Sequence, residues 1–211
     1  TRRSSDLIGC DVPETIILAD GDFPSHPLAL EWLRQCPYVV CCDGAANTYI
    51  RSGRMPEAIV GDGDSLLPDI KERYASLIHS EAEQETNDLS KAFRFCLSQE
   101  RKRITIMGAT GKREDHTIGN VSLLADYMEQ AEVSMMTDYG IFVPIREDSM
   151  FESYIGQQIS VFNMNSTALS AEGLAYPLSV FTNWWQGTLN EALARHFIIR
   201  TEGKVLVFRV F

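Results

Sequence analysis

The sequence contains no apolar run of about 18 residues, the length that a membrane-spanning helix needs. It has no basic excess either, since 29 Asp and Glu outnumber 19 Lys and Arg and leave a formal net charge of −10. This balance argues against a nucleic-acid backbone or an anionic membrane as partner. The first residues show no apolar stretch of the kind found in secretory signals. We therefore expect a cytoplasmic protein without nucleic-acid or membrane partners.

Several common site motifs are missing as well. The five cysteines form no CxxC pair, and Cys41 and Cys42 lie inside an apolar run, where free cysteine behaves as a small apolar residue. The four histidines show no HExxH or other zinc spacing. Neither GxxxxGK[ST] nor GxGxxG occurs. These absences predict reduced thiols and exclude a standard zinc motif, a Walker loop and a dinucleotide fingerprint.

What the sequence does have, over its first two thirds, is an alternation of strands and helices. Continuous apolar runs of this kind predict strands buried on both faces, as in a parallel sheet. They are TIILAD (15–20), PYVVCCD (37–43), EAIVGD (57–62), RITIMGA (103–109) and EVSMMTD (132–138). Residues 86–100 have helical spacing, with one apolar face made of Leu89, Ala92, Phe93 and Cys96. Residues 116–130 repeat this spacing at Ile118, Val121, Leu124 or Ala125, and Met128.

After about residue 145 the pattern changes to short strands and turns, and Glu202-Gly203-Lys204 predicts a hairpin. We therefore predict an α/β N-terminal domain with a mainly parallel sheet, residues 1–144, and an all-β sandwich domain, residues 145–211. The second domain is too small to be comfortable alone, so we expect it to pack on the first domain or on a second copy of the chain.

Polar, glycine-rich segments follow four of the predicted strands. They are Asp20–Asp22, Asp43–Asn47, Gly61–Ser65 and Gly108–Arg113. In open parallel sheets ligands bind in the crevice at the carboxyl ends of the strands. Asp and Gly are also ordinary turn and cap residues, so one such segment alone means little. Four such segments at one edge of the sheet predict a ligand-binding site.

Asp62 and Asp64 stand two residues apart directly after a buried strand. In extended backbone such side chains point the same way, and two carboxylates aimed at one point need a cation between them. Hard oxygen ligands that leave room for water suit Mg²⁺, which often bridges carboxylates and substrate phosphates. Asp88 lies in the first turn of a predicted helix, and Lys91 lies one turn further on. They are either a third metal ligand and a phosphate contact or an ordinary dipole-stabilising Asp with a solvated Lys.

The segment GATGKREDH, residues 108–116, is the candidate phosphate loop. Its glycines expose backbone amides, Lys112 and Arg113 add positive charge, and a helix N-terminus follows. His116 is either part of this site or a helix-start residue.

A collinear series of motifs resembles the thiamine pyrophosphokinase family and covers most of the chain. The motifs are DGAAN (43–47), GDGDS (61–65), QETNDLSKA (84–92), GATGKREDH (108–116), GLAYPL (173–178) and GTLNEA (187–192). The resemblance implies a homodimer that transfers diphosphate from ATP to thiamine with Mg²⁺, giving thiamine diphosphate and AMP. It implies that the first domain binds nucleotide and carries catalysis, and that the second binds thiamine and dimerises.

The resemblance also implies roles for individual residues. The implied metal ligands are Asp62, Asp64 and Asp88, with Lys91 and Arg113 as further catalytic residues. The implied nucleotide-binding residues are Asp43, Asn47, Gly108, Thr110, Gly111, Arg113, Asp115 and His116. The implied thiamine-binding residues are Asp22, Thr188, Asn190 and an aromatic platform at one of Trp184 and Trp185, of which Trp185 is the candidate.

The chain departs from the usual family pattern at Gly63, Asn87, Lys112 and Leu189, but no departure removes a carboxylate. Two alternatives remain open from the residues. The first is nucleotidyl transfer, which also uses acidic metal sites but releases diphosphate. The second is a non-catalytic module that binds ATP and Mg²⁺ without turnover.

Overall fold

The computed structural model describes residues 12–80 and 85–211, together with the backbone of residues 2 and 3. The chain forms two compact units. The first, which we call the α/β unit, comprises residues 12–123 and 130–138; the second, the β unit, comprises residues 124–129 and 139–211 and includes strand β1 (Arg2–Arg3). The predicted functional division at residues 144 and 145 stays a prediction, because compactness assigns no function to either unit.

The α/β unit is built on a parallel sheet. Its strands are β2 (Thr15–Leu18), β3 (Val39–Cys42), β4 (Ala58–Gly61), β5 (Ile78–Ser80), β6 (Arg103–Met107) and β7 (Glu132–Met136). They lie in the order β7-β6-β2-β3-β4-β5, and each adjacent pair is parallel. Each of β2, β3 and β4 has four residues, and all of them are buried, as expected for strands covered on both faces. The five strands predicted from apolar runs are confirmed; the short edge strand β5 had no such run.

Helices alternate with these strands. They are α1 (Pro27–Gln35), α2 (Ala45–Arg51), α3 (Pro68–Arg73), α4 (Asp88–Ser98) and α5 (Glu114–Tyr127). Proline begins α1 and α3, where its missing N–H and fixed φ cost nothing. The predicted apolar face of α4 is confirmed, since Leu89, Ala92, Phe93 and Cys96 are all buried. The predicted face of α5 is wrong in its first half, because Ile118 is 58% exposed and burial begins only at Leu124.

The β unit consists of two sheets. Its strands are β8 (Gly140–Ile145), β9 (Ser149–Glu152), β10 (Gln158–Asn163), β11 (Leu169–Glu172), β12 (Asn190–Glu191), β13 (His196–Thr201) and β14 (Val205–Val210). One sheet has the order β12-β10-β14-β8 and the other β1-β9-β13-β11, with every pair antiparallel except β1 and β9. The sheets meet where Arg209 of β14 donates to the Glu152 carbonyl and lies over the Phe151 ring of β9. The predicted fold class, an α/β part followed by an all-β sandwich, is confirmed.

The predicted hairpin at Glu202–Lys204 is wrong. Strand β13 pairs with β9 and β11, whereas β14 pairs with β8 and β10, so the turn carries the chain from one sheet to the other. Gly203 has φ +126, and a Cβ there would lie 2.8 Å from the Cα of Ser166. The glycine therefore serves a tight sheet-to-sheet corner, a use that short-range turn chemistry does not distinguish from a hairpin.

Cys41, Cys42 and Cys96 are buried and Cys36 is half-buried, and all four are free thiols. Burial raises the pKa of Cys96 to about 12 and raises that of Cys42 as well, so these side chains stay protonated. Cys10 lies outside the described residues. Across the described parts of the chain, no helix combines the length and the apolar character that crossing a membrane requires.

The loops after β2 and β6 touch through their backbones, and this contact yields a first prediction. Gly21 N–H donates to the Gly108 carbonyl at 2.6 Å, and a Cβ at Gly21 would lie well under 3.0 Å from the Thr110 carbonyl oxygen. Gly21→Ala should therefore lower the free energy of unfolding by ~1–3 kcal/mol, the usual cost of overpacking. Urea denaturation followed by circular dichroism measures this cost.

Gly119→Ala is the matched control. Nothing lies within 4 Å of a Cβ there, and the residue is helical, so the same substitution should stabilise the protein by ~0.5–1 kcal/mol. Equal midpoints for the two variants would contradict the close approach at Gly21.

Candidate active site

The polar segments predicted from sequence follow β2, β3, β4 and β6, which are consecutive in the sheet. In a parallel sheet all these carboxyl ends lie at one edge. Two hydrogen bonds tie the first and last of these segments together, from Gly21 N–H to the Gly108 carbonyl and from Asp22 N–H to the Thr110 carbonyl at 2.8 Å. The edge is therefore a connected set of loops.

Asp43, directly after β3, is a buried acid in this set, with an exposed fraction of 2%. Its Oδ2 accepts the Ser65 N–H at 3.0 Å, while its Oδ1 is buried and has no hydrogen-bond partner among the described residues. Burial raises the pKa of Asp43, and the nearby Asp62 and Asp88 raise it further. Carboxyl groups from three different segments therefore converge here.

The GDGDS segment is a turn, which corrects one premise of the sequence analysis. Gly63 has φ +77, and Asp62 Oδ1 accepts the Asp64 N–H at 3.0 Å. That bond lowers the pKa of the exposed Asp62 carboxyl. The expectation that residues 62–64 are extended is wrong, because Gly63 has a positive φ and the side chain of Asp62 closes its own turn. Lys71 Nζ donates a hydrogen bond to the Gly63 carbonyl at 2.8 Å and so stabilises the turn. This contact was not anticipated from the sequence.

Asn47 of α2 fixes the far end of this turn. Its Nδ2 donates to the Ser65 carbonyl at 2.8 Å, and its Oδ1 accepts the Leu67 N–H at 3.0 Å. Both ends of the amide are thus committed to the loop after β4. The implied role of Asn47 in nucleotide binding stays a prediction, and its observed contacts position the acidic loop.

Asp88 and Lys91 form an ion pair at the start of α4. Asn87 caps the helix by accepting the Ser90 N–H at 2.9 Å, which places Asp88 in the first turn. Lys91 Nζ lies 3.2 Å from Asp88 Oδ1, and its side chain is only 6% exposed whereas that of Asp88 is 39% exposed. The lysine therefore lies beneath a carboxylate that opens to solvent, which excludes the freely solvated Lys considered from sequence.

A chain of amides links this helix start to the loop after β6. Asn87 Nδ2 donates to Asn120 Oδ1 at 3.2 Å, and Asn120 Nδ2 donates to the Ala109 carbonyl at 2.9 Å. This link was not anticipated from the sequence, because a cap residue's second hydrogen bond depends on which helix lies beside it.

The glycines of the loop after β6 have conformations that only glycine adopts easily. Gly108 has φ +64 and Gly111 has φ +78, and a Cβ on Gly111 would collide with the Asp22 carboxyl group. Asp22, implied to bind thiamine, therefore lies against the candidate phosphate loop.

Arg113 and Asp115 form an exposed bidentate pair at the start of α5. Arg113 Nη2 donates to Asp115 Oδ2 at 2.6 Å and Arg113 Nε donates to Asp115 Oδ1 at 3.1 Å. The hydrogen bond from Arg113 lowers the pKa of Asp115 to about 2. In this state the guanidinium has a partner within its own loop.

A cavity of about 420 Å³ opens among these elements. It is lined by Ala19, Asp20, Gly21, Cys42, Asn87, Asp88, Leu89, Ala109, Gly111, Lys112, Arg113, His116 and Asn120. Of the implied site residues, the lining includes Asp88, Gly111, Arg113 and His116. Cys42 and Asn87 were missed, since a thiol in an apolar run and a helix cap carry no sequence signal for a ligand.

Apart from Asp22, the implied thiamine-binding residues lie in the β unit, and they differ in exposure. Trp184 and Trp185 are in a 3-10 turn, Trp184–Gly187. Trp184 packs edge-on against Phe162 with ring centroids 6.1 Å apart, whereas Trp185 is 74% exposed. Thr188 Oγ1 donates to the Trp185 carbonyl at 2.7 Å. Trp185 is thus the more open of the two, since Trp184 is 42% exposed.

Asn190, in contrast, is 4% exposed. Its Oδ1 accepts the Tyr176 N–H at 3.0 Å, and its Nδ2 donates to the Tyr176 carbonyl at 2.8 Å. These bonds hold the two segments that contain GLAYPL and GTLNEA together. Its implied contact with thiamine stays a prediction.

Family models match both parts of the chain. Residues 29–136 match the catalytic domain of thiamin pyrophosphokinase, and residues 140–208 match its substrate-binding domain. The chain belongs to the thiamin pyrophosphokinase family. The resemblance noted from the motifs is thereby confirmed.

Individual relatives agree. The chain is 30% identical over 129 residues to thiamine pyrophosphokinase 1 of Oryza sativa subsp. japonica, a match covering 49% of each protein. It is 34% identical over 86 residues to thiamine pyrophosphokinase of Bacillus subtilis, covering 39% of this chain and 40% of the relative. The chain thus spans about half the length, 49%, of the first of these relatives.

Solved structures show the same fold. Thiamine pyrophosphokinase from Bacillus subtilis superposes with a TM-score of 0.77 at 20% identity, covering 93% of this chain and 98% of that one. Thiamin pyrophosphokinase from Candida albicans gives a TM-score of 0.76 at 18% identity, covering 93% and 90%.

The contacts of Asn47 yield a second prediction. Asn47→Ala removes both hydrogen bonds to the loop after β4 and should cost ~1–2 kcal/mol of stability. Asn47→Asp keeps the acceptor for Leu67 N–H and loses only the donor to Ser65, so its urea midpoint should fall between those of wild type and Asn47→Ala. An unchanged midpoint in Asn47→Ala would show that the amide does not hold this loop.

Proposed function

We propose that this chain transfers diphosphate from ATP to thiamine, giving thiamine diphosphate and AMP. The observation that carries the proposal is the convergence of Asp43, Asp62 and Asp88 beside a cavity with cationic residues at its rim, in a chain whose two parts match the family's catalytic and substrate-binding domains. Acidic groups beside basic ones are what a triphosphate with its counter-cation requires.

ATP is assigned to the cavity of the α/β unit. Backbone amides of a glycine-rich loop and the side chains of Lys112 and Arg113 suit phosphate oxygens. A volume of about 420 Å³ lies within the range of small-molecule sites. His116 and Asn120 add polar groups to the same lining.

The carboxylates fit a magnesium ion bound jointly with phosphate. In the described parts of the chain no three Asp, Glu, His or Cys side chains are arranged to hold a metal alone. Mg²⁺ usually takes one or two protein carboxylates and fills its other positions with water and substrate phosphate, so a complete protein cage is not required. Asp62, Asp64 and Asp88 are the proposed source of those one or two carboxylates, and the unpartnered Oδ1 of Asp43 marks where further positive charge would be stabilised. When bound, the ion neutralises phosphate charge.

The transfer forms a bond between the thiamine hydroxyl oxygen and the β-phosphorus and breaks the bond from that phosphorus to the α–β bridging oxygen, which leaves with AMP. Lys91, beneath Asp88, and Arg113, once released from Asp115, would offset charge on the phosphates. Asp43 or Asp64 could accept the hydroxyl proton. Positioning and electrostatics supply most of the acceleration in such reactions.

Thiamine is assigned to the β unit, the part that matches a substrate-binding domain. The exposed Trp185 offers a flat face to a cationic thiazolium, and Thr188 adjoins it. Asn190 completes the proposed set in this unit, and the implied role of Asp22 stays a prediction. We further propose a homodimer in which the β units of two copies associate.

Asp62→Asn should abolish turnover, because it removes the charge that would bind Mg²⁺ while keeping side-chain size; Asp64→Asn should do the same. Phosphorus NMR of ATP, Mg²⁺ and thiamine should show AMP and thiamine diphosphate with the wild type and neither with these variants. Asp126→Asn, an exposed carboxylate on α5 away from the cavity, is the control and should remain active. Substantial activity in both test variants refutes the metal assignment.

The same spectra decide between reactions. Free diphosphate in place of AMP and thiamine diphosphate would mean nucleotidyl transfer. Unchanged ATP, with nucleotide binding shown separately, would mean a sensing module without turnover.

Trp185→Ala should raise the KM for thiamine about tenfold, the effect of losing ~1.4 kcal/mol of stacking on a cation. Thermal stability should not change, since the ring is mostly in solvent. Trp185→Phe keeps an aromatic face and should lose less. Trp184→Ala should instead lower stability, because it removes the contact with Phe162. A KM that stays constant in Trp185→Ala places thiamine elsewhere.

A further inference from the structure

Lys112, at the rim of the cavity, has a backbone conformation that lysine rarely adopts. Its φ is +54, in the left-handed region where a side chain strains the backbone and glycine does not. Strained residues of this kind collect at ligand sites. Glycine would adopt this backbone conformation without strain, so the stability of the fold does not explain why a lysine occurs here.

The ammonium group of Lys112 spans two loops. Nζ lies 3.0 Å from Asp20 Oδ1, and the side chains are 53% and 47% exposed. Asp20 follows β2 and Lys112 follows β6, and both line the cavity of about 420 Å³. The ion pair therefore lies where the proposed triphosphate would enter.

The two partners differ in their surroundings. The Asp20 carboxylate lies against the Gly44 backbone, since a Cβ on Gly44 would lie 2.5 Å from Asp20 Oδ2, although the Asp20 side chain is 47% exposed. Lys112 is tied by one contact at the end of a long, flexible stem. An ion pair this exposed is weak, so an anion carrying several charges can replace a single carboxylate as the lysine's partner. Arg113, the other cation described in the cavity lining, is held more firmly by two hydrogen bonds to Asp115.

We propose that Lys112 is a specificity-determining residue that leaves Asp20 for the outer phosphates of the nucleotide and thereby favours ATP over AMP. This inference rests on the proposed function in one respect, which is that the bound nucleotide is ATP. In the free protein Asp20 holds the Lys112 ammonium group at the rim of the cavity. The outer phosphates of a bound triphosphate reach this ammonium group, whereas the single phosphate of AMP does not.

Isothermal titration of ATP and of AMP, with Mg²⁺ and without thiamine, tests the proposal. Lys112→Met keeps most of the stem and removes the charge, so the Kd for ATP should rise about tenfold and that for AMP less than about twofold. Lys112→Arg keeps the charge and should stay within about threefold of wild type for both. Equal losses for ATP and AMP in Lys112→Met, or no loss for either, would overturn the proposal.

Lys112→Gly separates ligand binding from loop packing. Glycine adopts φ +54 without strain, so the unfolding temperature should equal or exceed that of wild type while ATP binding weakens as in Lys112→Met. A residue that only clamps two loops would give the opposite result, with a lower unfolding temperature and no preference between nucleotides, and that result would overturn the proposal.

Asp20→Asn tests the exchange itself. It removes the partner that Lys112 leaves, so ATP should bind about threefold more tightly in the wild-type background and unchanged in the Lys112→Met background. The same effect in both backgrounds would refute exchange. Because thiamine is absent throughout, ATP selectivity through Lys112 without any diphosphate transfer would refute the proposed reaction alone; failure to bind ATP would refute both.

Discussion

Asp43, Asp62 and Asp88 lie close enough that the charges of the last two oppose ionisation of the first. Repulsion of this kind destabilises a folded chain unless hydrogen bonds or counter-charges offset it. The surroundings provide both: Ser65 N–H donates to Asp43, Asp64 N–H donates to Asp62, and Lys91 pairs with Asp88 from below. What they leave uncompensated is the buried Oδ1 of Asp43. The acidic edge is therefore a place where added positive charge stabilises the protein.

The loops that hold these groups are braced against one another as well as against the sheet. Asn47 holds the loop after β4, Lys71 holds the Gly63 carbonyl, and Asn120 links the start of α4 to the loop after β6. At the neighbouring strand end, Asp138 accepts the N–H groups of Ser25 and His26 at 2.8 and 3.0 Å and so fixes the segment that follows Asp20 and Asp22. Polar groups that position a site in this way let it approach its working geometry before ligand arrives, which lowers the cost of ordering side chains on binding.

The parallel sheet could be predicted because its strands are continuous apolar runs, a pattern that burial on both faces imposes. The polar strand ends followed from the same pattern, since β2, β3, β4 and β6 are neighbours in the sheet. The predictions that proved wrong concern contacts between residues that are distant in sequence. Ile118 has helical spacing yet is exposed, because periodicity does not say where a helix meets its neighbours. Glu202–Lys204 reads as a hairpin, but the flanking strands pair in different sheets. Lys71 belongs to none of the quoted motifs, and the motif that contains Asn87 does not indicate its partner. The contacts of both residues appear only when the fold brings Gly63 and Asn120 beside them.

The two cations at the cavity rim have different partners, and the difference bears on how the site meets its ligand. Arg113 is paired within its own loop by a bidentate bond, whereas Lys112 is paired across loops by a single contact. A bidentate pair fixes direction as well as distance, so Arg113 would lose more than Lys112 on turning to the proposed nucleotide phosphates. Lys112 would lose only one solvent-exposed ion pair, and the backbone strain of its φ of +54 is already present in the free protein. Under the proposed function Lys112 is therefore the cation expected to respond first to ATP, since the cost of its backbone conformation is met in folding and not in binding.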